Sequence, residues 1–220
     1  MSGIHNLRPP TPRYNVIWEV ETVVDFLKQL KDDSTLSDRD LTLKTAMLMA
    51  LTAIKRCSDL HTLDTKFIAI GQDKVIFKIY GKPKNFRKKG KAPGPVTFWS
   101  SGLELCPVTT IKAYLERTKP WREGNTDTRF FLSYVKPHQP VTSSTIGRWL
   151  KTVLGTVGVD VSKFTAHSTR AASSSKYKVL GASVSEIMNC GNWNSDSVWQ
   201  KFYHKPIVSN MREIQKDMLK

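Results

Sequence analysis

Residues 164–206 read FTAHSTRAASSSKYKVLGASVSEIMNCGNWNSDSVWQKFYHKP, and this stretch decides how the rest of the chain is interpreted. His167 and Arg170 lie three positions apart, which places both side chains on one face if the segment is a helix. Arg170 carries a permanent planar charge that matches two phosphate oxygens. His167 can transfer a proton near neutral pH, and the hydroxyl of Tyr203 can attack phosphorus once its proton is removed. The stretch therefore predicts chemistry at a phosphodiester group.

The charge of the whole chain agrees with a polyanionic partner. Among 220 residues there are 34 Lys and Arg against 19 Asp and Glu, which gives a net charge of +15. The basic residues are spread along the chain between aromatic residues, and no single basic amphipathic helix stands out. This distribution favours nucleic acid over a membrane surface. The alternative is a basic protein whose charge is incidental to its function.

The cysteines and apolar runs indicate an intracellular, reduced protein. Cys57, Cys106 and Cys190 are odd in number and widely spaced, which predicts neither a disulfide framework nor a metal knuckle. The sequence has no run of 18 apolar residues, so no membrane-spanning helix is predicted. Residues 1–14 lack the apolar segment of a signal peptide. With Pro9, Pro10 and Pro12, residues 1–14 are typical of an extended lead-in or of the end of a linker that follows an upstream domain, and both alternatives stay open.

Two helices are predicted before the first change of period. Apolar residues recur at helical spacing within residues 18–30. Ser37 and Asp40 then form a capping arrangement for a helix that runs through residues 41–55. This second helix is apolar on nearly all sides, which predicts burial, and it ends at Arg56.

A small sheet is predicted within residues 65–99. Residues 67–70 and 74–80 have strand patterns separated by a turn at 71–73, and residues 95–99 supply a third strand. Between the second and third strands, residues 81–94 carry six Lys or Arg. The expected element is a three-stranded antiparallel sheet with a long basic hairpin.

The rest of the chain is predicted to be mostly helical. Pro107 opens one helix, and residues 142–157 form another with Ser/Thr capping. Residues 128–134 are a short apolar stretch with the pattern of a strand. From residue 166 onward the pattern is helical with breaks at Gly181 and Gly191, and residues 207–220 form a last amphipathic helix. The fold class is mainly α (α+β), a helical bundle with one small sheet.

Three sequence boxes resemble the tyrosine recombinase (phage integrase) family, and the likeness covers nearly the whole chain. They are LTAIKRCSDLHTL at 51–63, HSTR at 167–170 and GNWNSDSVWQKFYHKP at 191–206. An arginine, a hairpin lysine, His-x-x-Arg, a tryptophan and a tyrosine follow in the family's order. The stretches LCPVTTIKAYLERTKPW and HSTRAASSSK resemble the recombinases of eukaryotic DIRS-like, Ngaro-like and Crypton-like mobile elements.

The resemblance implies a role for each box residue in site-specific cleavage and rejoining of DNA. Tyr203 would be the nucleophile that forms a 3′-phosphotyrosyl bond, so that no metal or other cofactor is required. Two guanidinium groups would clamp the non-bridging oxygens, His167 would act as acid and base, and Trp193 would pack the site. The guanidinium groups belong to Arg56 and Arg170, and Asp59 would orient Arg56.

The resemblance also assigns the basic hairpin. A lysine there would protonate the departing 5′ oxygen; Lys84 is favoured and Lys82 is the alternative. The remaining hairpin cations would contact DNA phosphates for affinity. These are Arg87, Lys88, Lys89 and Lys91.

Several alternatives stay open at this point. Tyr177 rivals Tyr203 as nucleophile, although Tyr177 shares a helix with HSTR while the family places its tyrosine near the chain end. Tyr203 follows Trp193 by ten positions, one more than is usual in bacterial and phage members. A domesticated, non-catalytic DNA-binding module and a type IB topoisomerase-like relaxing enzyme are the competing functions. The resemblance further implies a tetramer on paired DNA sites, residues 207–220 docking on a neighbour, and nuclear localisation if the source is eukaryotic.

Overall fold

The computed structural model describes residues 11–30, 32–79, 94–124, 126–193 and 195–207. These residues form mostly helices with one small sheet, which confirms the predicted fold class. In chain order the helices are α1 Val20–Gln29, α2 Asp38–Ala53, α3 Cys57–His61, α4 Pro107–Arg122, α5 Ser143–Thr156, α6 Ser168–Val179, α7 Val184–Gly191 and α8 Asp196–Phe202. The strands are β1 Ile68–Ile70, β2 Lys74–Phe77 and β3 Val96–Trp99.

Helix α2 is the central element of the core. The predicted cap is present: the side-chain oxygen of Ser37 accepts the backbone N–H of Asp40 at 3.1 Å. Residues from Leu41 to Leu51 are all buried, because the helix packs against α4, α5 and α6. Ile54 then adopts a left-handed conformation (φ 52°), which ends the helix and redirects the chain into α3.

The sheet is antiparallel with the order β1-β2-β3, as predicted. Its register pairs Ile68 with Phe77 and Lys74 with Trp99. Val75 and Phe77 face the core, where the ring of Phe77 meets those of Phe98 and Phe130 edge-on. Alternate burial along β2 follows from the pleat of a strand with one covered face.

The strand predicted at residues 128–134 is wrong. Phe130, Phe131 and Leu132 are buried, but the segment makes only isolated bridges with residues that lie in loops. Phe130 donates its backbone N–H to Leu63 at 2.7 Å, and Val141 donates to Phe131 at 3.1 Å. The apolar residues are therefore extended and buried, but no strand runs alongside them to form a ladder.

The C-terminal helices turn near the predicted positions. Gly181 (φ 92°) lies in the turn between α6 and α7. The second turn is at Asn192 (φ 54°), because Gly191 is still the last residue of α7. No helix among the described residues is long and apolar enough to cross a membrane.

Residues 11–18 lie against the helices that follow residue 164. Tyr14, Ile17 and Trp18 are all buried, with Ile17 fully covered. Ile17 forms a parallel bridge with Ile207 at the other end of the described chain. The packed core of the described residues therefore includes Tyr14.

Candidate active site

His167 and Tyr203 meet at one edge of the domain. Nε2 of His167 and the hydroxyl oxygen of Tyr203 share a hydrogen bond of 3.1 Å. His167 is the residue before the first turn of α6, and Tyr203 is the residue after the last turn of α8. The backbone carbonyl of Tyr203 accepts hydrogen bonds from the hydroxyls of Ser174 (3.3 Å) and Ser175 (3.1 Å) in α6. Helix α6 therefore positions both partners of the pair.

Arg170 lies directly beneath this pair and is enclosed by protein. Its guanidinium carbon is 3.9 Å from the ring centroid of Trp193 and 5.2 Å from that of Tyr203. One terminal nitrogen donates to the carbonyl of Gly191, whereas Nε and the other terminal nitrogen have no partner among the described residues. Burial and the charge of Arg56 lower the pKa of Arg170 to about 10, so the side chain is cationic at pH 7.

The close packing of Trp193 depends on Gly191. A β-carbon at position 191 would overlap the six-membered ring of Trp193. The bare backbone of Gly191 therefore lets this ring lie against the chain while its face covers the guanidinium of Arg170. The indole nitrogen of Trp193 is buried without a hydrogen-bond partner in the described part of the chain.

Arg56 and Arg170 open onto the same pocket, of about 270 Å³. Arg56 follows the left-handed turn that ends α2 and precedes α3. Its backbone N–H donates to a carboxylate oxygen of Asp59 at 3.0 Å, and its guanidinium lies 3.9 Å from the same oxygen. Other polar residues of the pocket wall are Lys55, Ser58, Ser143, Ser144 and His167. A pocket walled by four nitrogen-bearing side chains and three serine hydroxyls suits a phosphate group.

His167 is held in its neutral form by its surroundings. Partial burial of the imidazole lowers its pKa, and the positive charges of Arg170, Arg56 and Arg13 lower the pKa further. The outer side of the residue is still exposed to solvent. A neutral imidazole that carries its proton on Nδ1 offers Nε2 as an acceptor for the Tyr203 hydroxyl.

One known protein family matches this sequence over most of its length. The sequence model of the phage integrase family matches residues 19–207. The chain belongs to the phage integrase family. The family is that of the tyrosine recombinases, enzymes that break and rejoin DNA, which agrees with the expectation from the three sequence boxes.

Solved structures of other recombinases share the fold. The crystal structure of XerA recombinase superposes with a TM-score of 0.64 at 17% identity, covering 97% of this chain and 68% of XerA. XerH recombinase bound to its difH substrate gives 0.63 at 10% identity, with coverage of 94% and 54%. The Tn1549 transposon integrase in complex with transposon right end DNA gives 0.57 at 14% identity, with coverage of 96% and 67%. The chain thus spans about half to two thirds of these recombinases, and no curated protein sequence matches it.

The rival nucleophile of this integrase-family chain has a structural role. The hydroxyl of Tyr177 donates to the backbone carbonyl of Thr52 at 2.8 Å. Burial raises the pKa of Tyr177 to about 12, which disfavours the phenolate. Tyr203, in contrast, faces the imidazole of His167. Of the two tyrosines, only Tyr203 is placed beside an acid/base group.

The hairpin residues predicted for this integrase-family site lie outside the described residues. They are Lys82, Lys84, Arg87, Lys88, Lys89 and Lys91, and residues 208–220 of the predicted tail also lie outside. The residues on either side of the hairpin, Ile79 and Gly94, border a second pocket of about 520 Å³. Lys55 lies in the walls of both pockets. The ends of the hairpin therefore flank a pocket next to the arginines.

Several residues of the pocket wall, among them Lys55, Ser143 and Ser144, were not predicted as site residues from the sequence. Lys55 directly precedes Arg56, and Ser143 and Ser144 form the first turn of α5. Lys55 could have been identified from its place at the end of an apolar helix, because a cation there stands out against the buried residues of the helix. The serines have the composition of an ordinary helix start. The described residues hold no cluster of three or more His, Cys, Asp or Glu side chains placed to bind a metal ion.

Proposed function

We propose that this chain cleaves and rejoins DNA at specific sites through a 3′-phosphotyrosyl intermediate formed by Tyr203. The observation that carries the proposal is the 3.1 Å hydrogen bond between Tyr203 and His167, directly above Arg170. Transfer of a phosphoryl group to tyrosine needs an attacking hydroxyl, a proton acceptor and a cation that can donate hydrogen bonds to the phosphate. Tyr203, His167 and Arg170 are placed to supply these groups.

In the first step, the oxygen of Tyr203 bonds to phosphorus while the bond from phosphorus to the 5′ oxygen breaks. The phenolic proton passes to Nε2 of His167. Arg56 and Arg170 bind the two non-bridging oxygens, where negative charge develops. Supporting this role, Nε and one terminal nitrogen of Arg170 are buried and have no hydrogen-bond partner within the described ranges, and phosphate oxygens would satisfy them. A 5′ hydroxyl then attacks the phosphotyrosine and reverses the step.

The departing 5′ oxygen needs a proton, and a hairpin lysine is proposed to supply it. Lys84 is the favoured donor and Lys82 the alternative. Ile79 and Gly94, the residues flanking this hairpin, border a pocket that shares Lys55 with the arginine pocket. Trp193 covers Arg170 and offers a phosphate oxygen its indole N–H, which has no partner in the part of the chain that the structure describes. Asp59 orients the backbone at Arg56.

Affinity for double-stranded DNA is proposed to come from phosphate contacts. The net charge of +15 supports this, and the hairpin cations Arg87, Lys88, Lys89 and Lys91 would supply part of it. Residues 15–206 act as the catalytic domain in this proposal, with residues 1–14 as the lead-in. XerH and the lambda integrase were solved bound to DNA, the latter as a dimer on its core site. For this chain the proposed assembly is a tetramer on paired sites, with residues 207–220 docked on a neighbouring subunit.

The proposed biological setting is a mobile element of a eukaryote. The stretches LCPVTTIKAYLERTKPW and HSTRAASSSK support it by their likeness to DIRS-like, Ngaro-like and Crypton-like recombinases. The corresponding location is the nucleus.

A nicked-duplex library tests the proposal and its two alternatives. Duplexes with a randomised core and a nick are incubated with the chain, and protein–DNA adducts are isolated under denaturing conditions and sequenced. Adducts enriched for one core sequence are expected. Retention of duplex without any adduct would instead mean a non-catalytic binding module. Adducts without sequence preference, together with relaxation of supercoiled plasmid, would mean a type IB topoisomerase-like enzyme.

A further inference from the structure

Residues 14–18, here termed the strap, form hydrogen bonds with the chain on both sides of His167. The hydroxyl of Tyr14 lies 2.9 Å from the hydroxyl of Thr165 and accepts the backbone N–H of Thr165 at 3.3 Å. The indole N–H of Trp18 donates to the hydroxyl of Ser168 at 2.9 Å. Ser168 in turn donates to the carbonyl of Thr165 at 2.7 Å. The strap therefore fixes the residue two positions before His167 and the residue directly after it.

The same five residues also reach the chain beyond Tyr203. The backbone N–H of Ile17 donates to the carbonyl of Pro206 at 2.9 Å, and Ile17 pairs with Ile207 in a parallel bridge. Ile17 is fully buried, and Trp18 is only 5% exposed. Because these groups are buried, water has little access to them. Breaking the hydrogen bonds would leave buried donors unpaired, which costs free energy.

We infer that the strap is a positioning element that sets the distance between His167 and Tyr203. The inference rests on the proposed function, because it assigns the strap a part in that reaction. Ser174 and Ser175 already hold the carbonyl of Tyr203 on α6. The strap connects the segment just before His167, at Thr165, to the segment just after Tyr203, at Pro206. Small displacements at a reacting pair reduce rates strongly, so loosening either flank should slow cleavage.

Trp18→Phe is the sharpest variant because it removes the indole N–H and keeps an aromatic ring in the core. Trp121→Phe is the matched control: Trp121 lies at the end of α4, stacked on His138, away from the site. Three quantities are measured on each full chain: the single-turnover rate of adduct formation at saturating protein, the Kd for the same DNA, and the melting temperature.

A fourth measurement tests the effect of the strap on His167 independently of catalysis. The pKa of His167 is followed by NMR of labelled histidine, with His167→Asn to assign the signal. Among the described residues, the charged and titratable groups around the imidazole are Arg13, Arg56, Arg170 and Tyr203, together with Lys55 in the same pocket wall. None of them is changed by Trp18→Phe, so a movement of the titration reports a change in the position or hydration of the ring.

For Trp18→Phe we expect adduct formation to slow at least tenfold, with Kd within about twofold of the wild-type value. The pKa of His167 should rise towards its ordinary value, because a loosened first turn of α6 admits water to the imidazole. Trp121→Phe should match the wild type in rate and titration. A wild-type rate and titration in Trp18→Phe would overturn the inference, as would an equal effect of Trp121→Phe.

Ser168→Ala keeps the inference testable if Trp18→Phe folds poorly, because it removes the acceptor and leaves Trp18 in place. Ser168→Ala also removes the hydrogen bond to the Thr165 carbonyl, but both variants lose the bond between Trp18 and Ser168, so the double variant should be no slower than the slower single variant. Simple multiplication of the two effects would count against the strap. If the wild-type chain forms no adduct, the proposed function fails, and the titration of His167 still decides whether the strap holds the ring.

Discussion

Lys55 and Arg170 donate to consecutive carbonyl oxygens at the C-terminal end of α7. Nζ of Lys55 lies 2.6 Å from the carbonyl oxygen of Cys190, and a terminal nitrogen of Arg170 contacts that of Gly191. The free carbonyls at the end of a helix attract cations. One helix end therefore accepts hydrogen bonds from two basic side chains at the edge of the pocket, and burial lowers the pKa of Lys55.

Lys55→Met is expected to slow adduct formation by about tenfold or more, because a cation that faces the phosphate pocket is lost. Its stability should fall by only about 1 kcal/mol, the typical cost of one lost hydrogen bond, here that to the Cys190 carbonyl. Single-turnover gels and thermal melts measure the two effects.

Lys44→Met provides the matched comparison for Lys55→Met. Nζ of Lys44 lies 2.8 Å from a carboxylate oxygen of Asp33, and the side chain of Lys44 is 4% exposed. Removing one half of a buried ion pair typically costs about 3–5 kcal/mol, so this variant should melt well below the wild type. Its remaining folded fraction should cleave at the normal rate. Normal cleavage by Lys55→Met would exclude a role for Lys55 in the reaction.

Tyr203→Phe should abolish the covalent adduct and leave the Kd for duplex DNA within about twofold, because phosphate charge dominates affinity. Tyr177→Phe should form adduct normally and lose about 1 kcal/mol of stability with its hydrogen bond to Thr52. Denaturing gels and filter binding on the same samples test both statements. Adduct from Tyr203→Phe but not from Tyr177→Phe would reverse the assignment of the nucleophile.

The rate of cleavage should stay on its plateau below pH 6.5, about the ordinary pKa of histidine, because the pKa of His167 is lowered. At still lower pH the imidazole becomes protonated and can no longer accept the proton of Tyr203, so the rate should fall. Arg13→Gln removes one neighbouring positive charge and should move this fall to higher pH. A pH–rate profile whose acid limb lies at or above pH 6.5 in the wild type would contradict the assignment.

The same group links pH to stability. The unfolded chain keeps the ordinary pKa of His167, so between that value and the lower pKa of the folded state the unfolded chain binds more protons. The contribution of His167 to the free energy of unfolding should therefore decrease as pH falls through this window. Chemical denaturation at several pH values, compared with His167→Asn, isolates the effect.

A 5′-phosphorothiolate substrate tests the hairpin lysines, because its sulfur leaving group needs little protonation. Lys84→Ala should cleave ordinary DNA slowly and recover on the sulfur substrate. Recovery of Lys82→Ala alone would move the proton donor two residues back. If neither variant recovered, the general acid would have to be sought elsewhere, with Lys55 as the next residue to substitute.

Local pattern was sufficient to predict most helices and the sheet. Helix α2 is apolar on all sides and is capped by Ser37, and β2 alternates as a half-buried strand does. The segment at residues 128–134 has the same apolar character as a strand. Whether it forms one depends on a neighbouring strand far away in sequence, and no local pattern records that neighbour.

The site was predictable where residue type and order carried it. The approach of His167 to Tyr203 across 36 positions could be expected only from the family's order of boxes. Lys55 resembles an ordinary charged residue at a helix end, and its contact with Cys190 spans 135 positions. Prolines marked residues 1–14 as a linker, while the burial of Tyr14 depends on Thr165 and Phe164, about 150 residues away.

Gly191 makes the site intolerant at a position that carries no functional group. Any side chain there would collide with the ring of Trp193, and the ring would have to leave the face of Arg170. In a library of all single substitutions scored for recombination, position 191 should accept glycine alone. Asn192, exposed in the next turn with a φ of 54°, should accept glycine in place of asparagine. A scan of inactive variants would therefore single out a residue without a side chain, whose bare α-carbon leaves the space that the ring of Trp193 occupies.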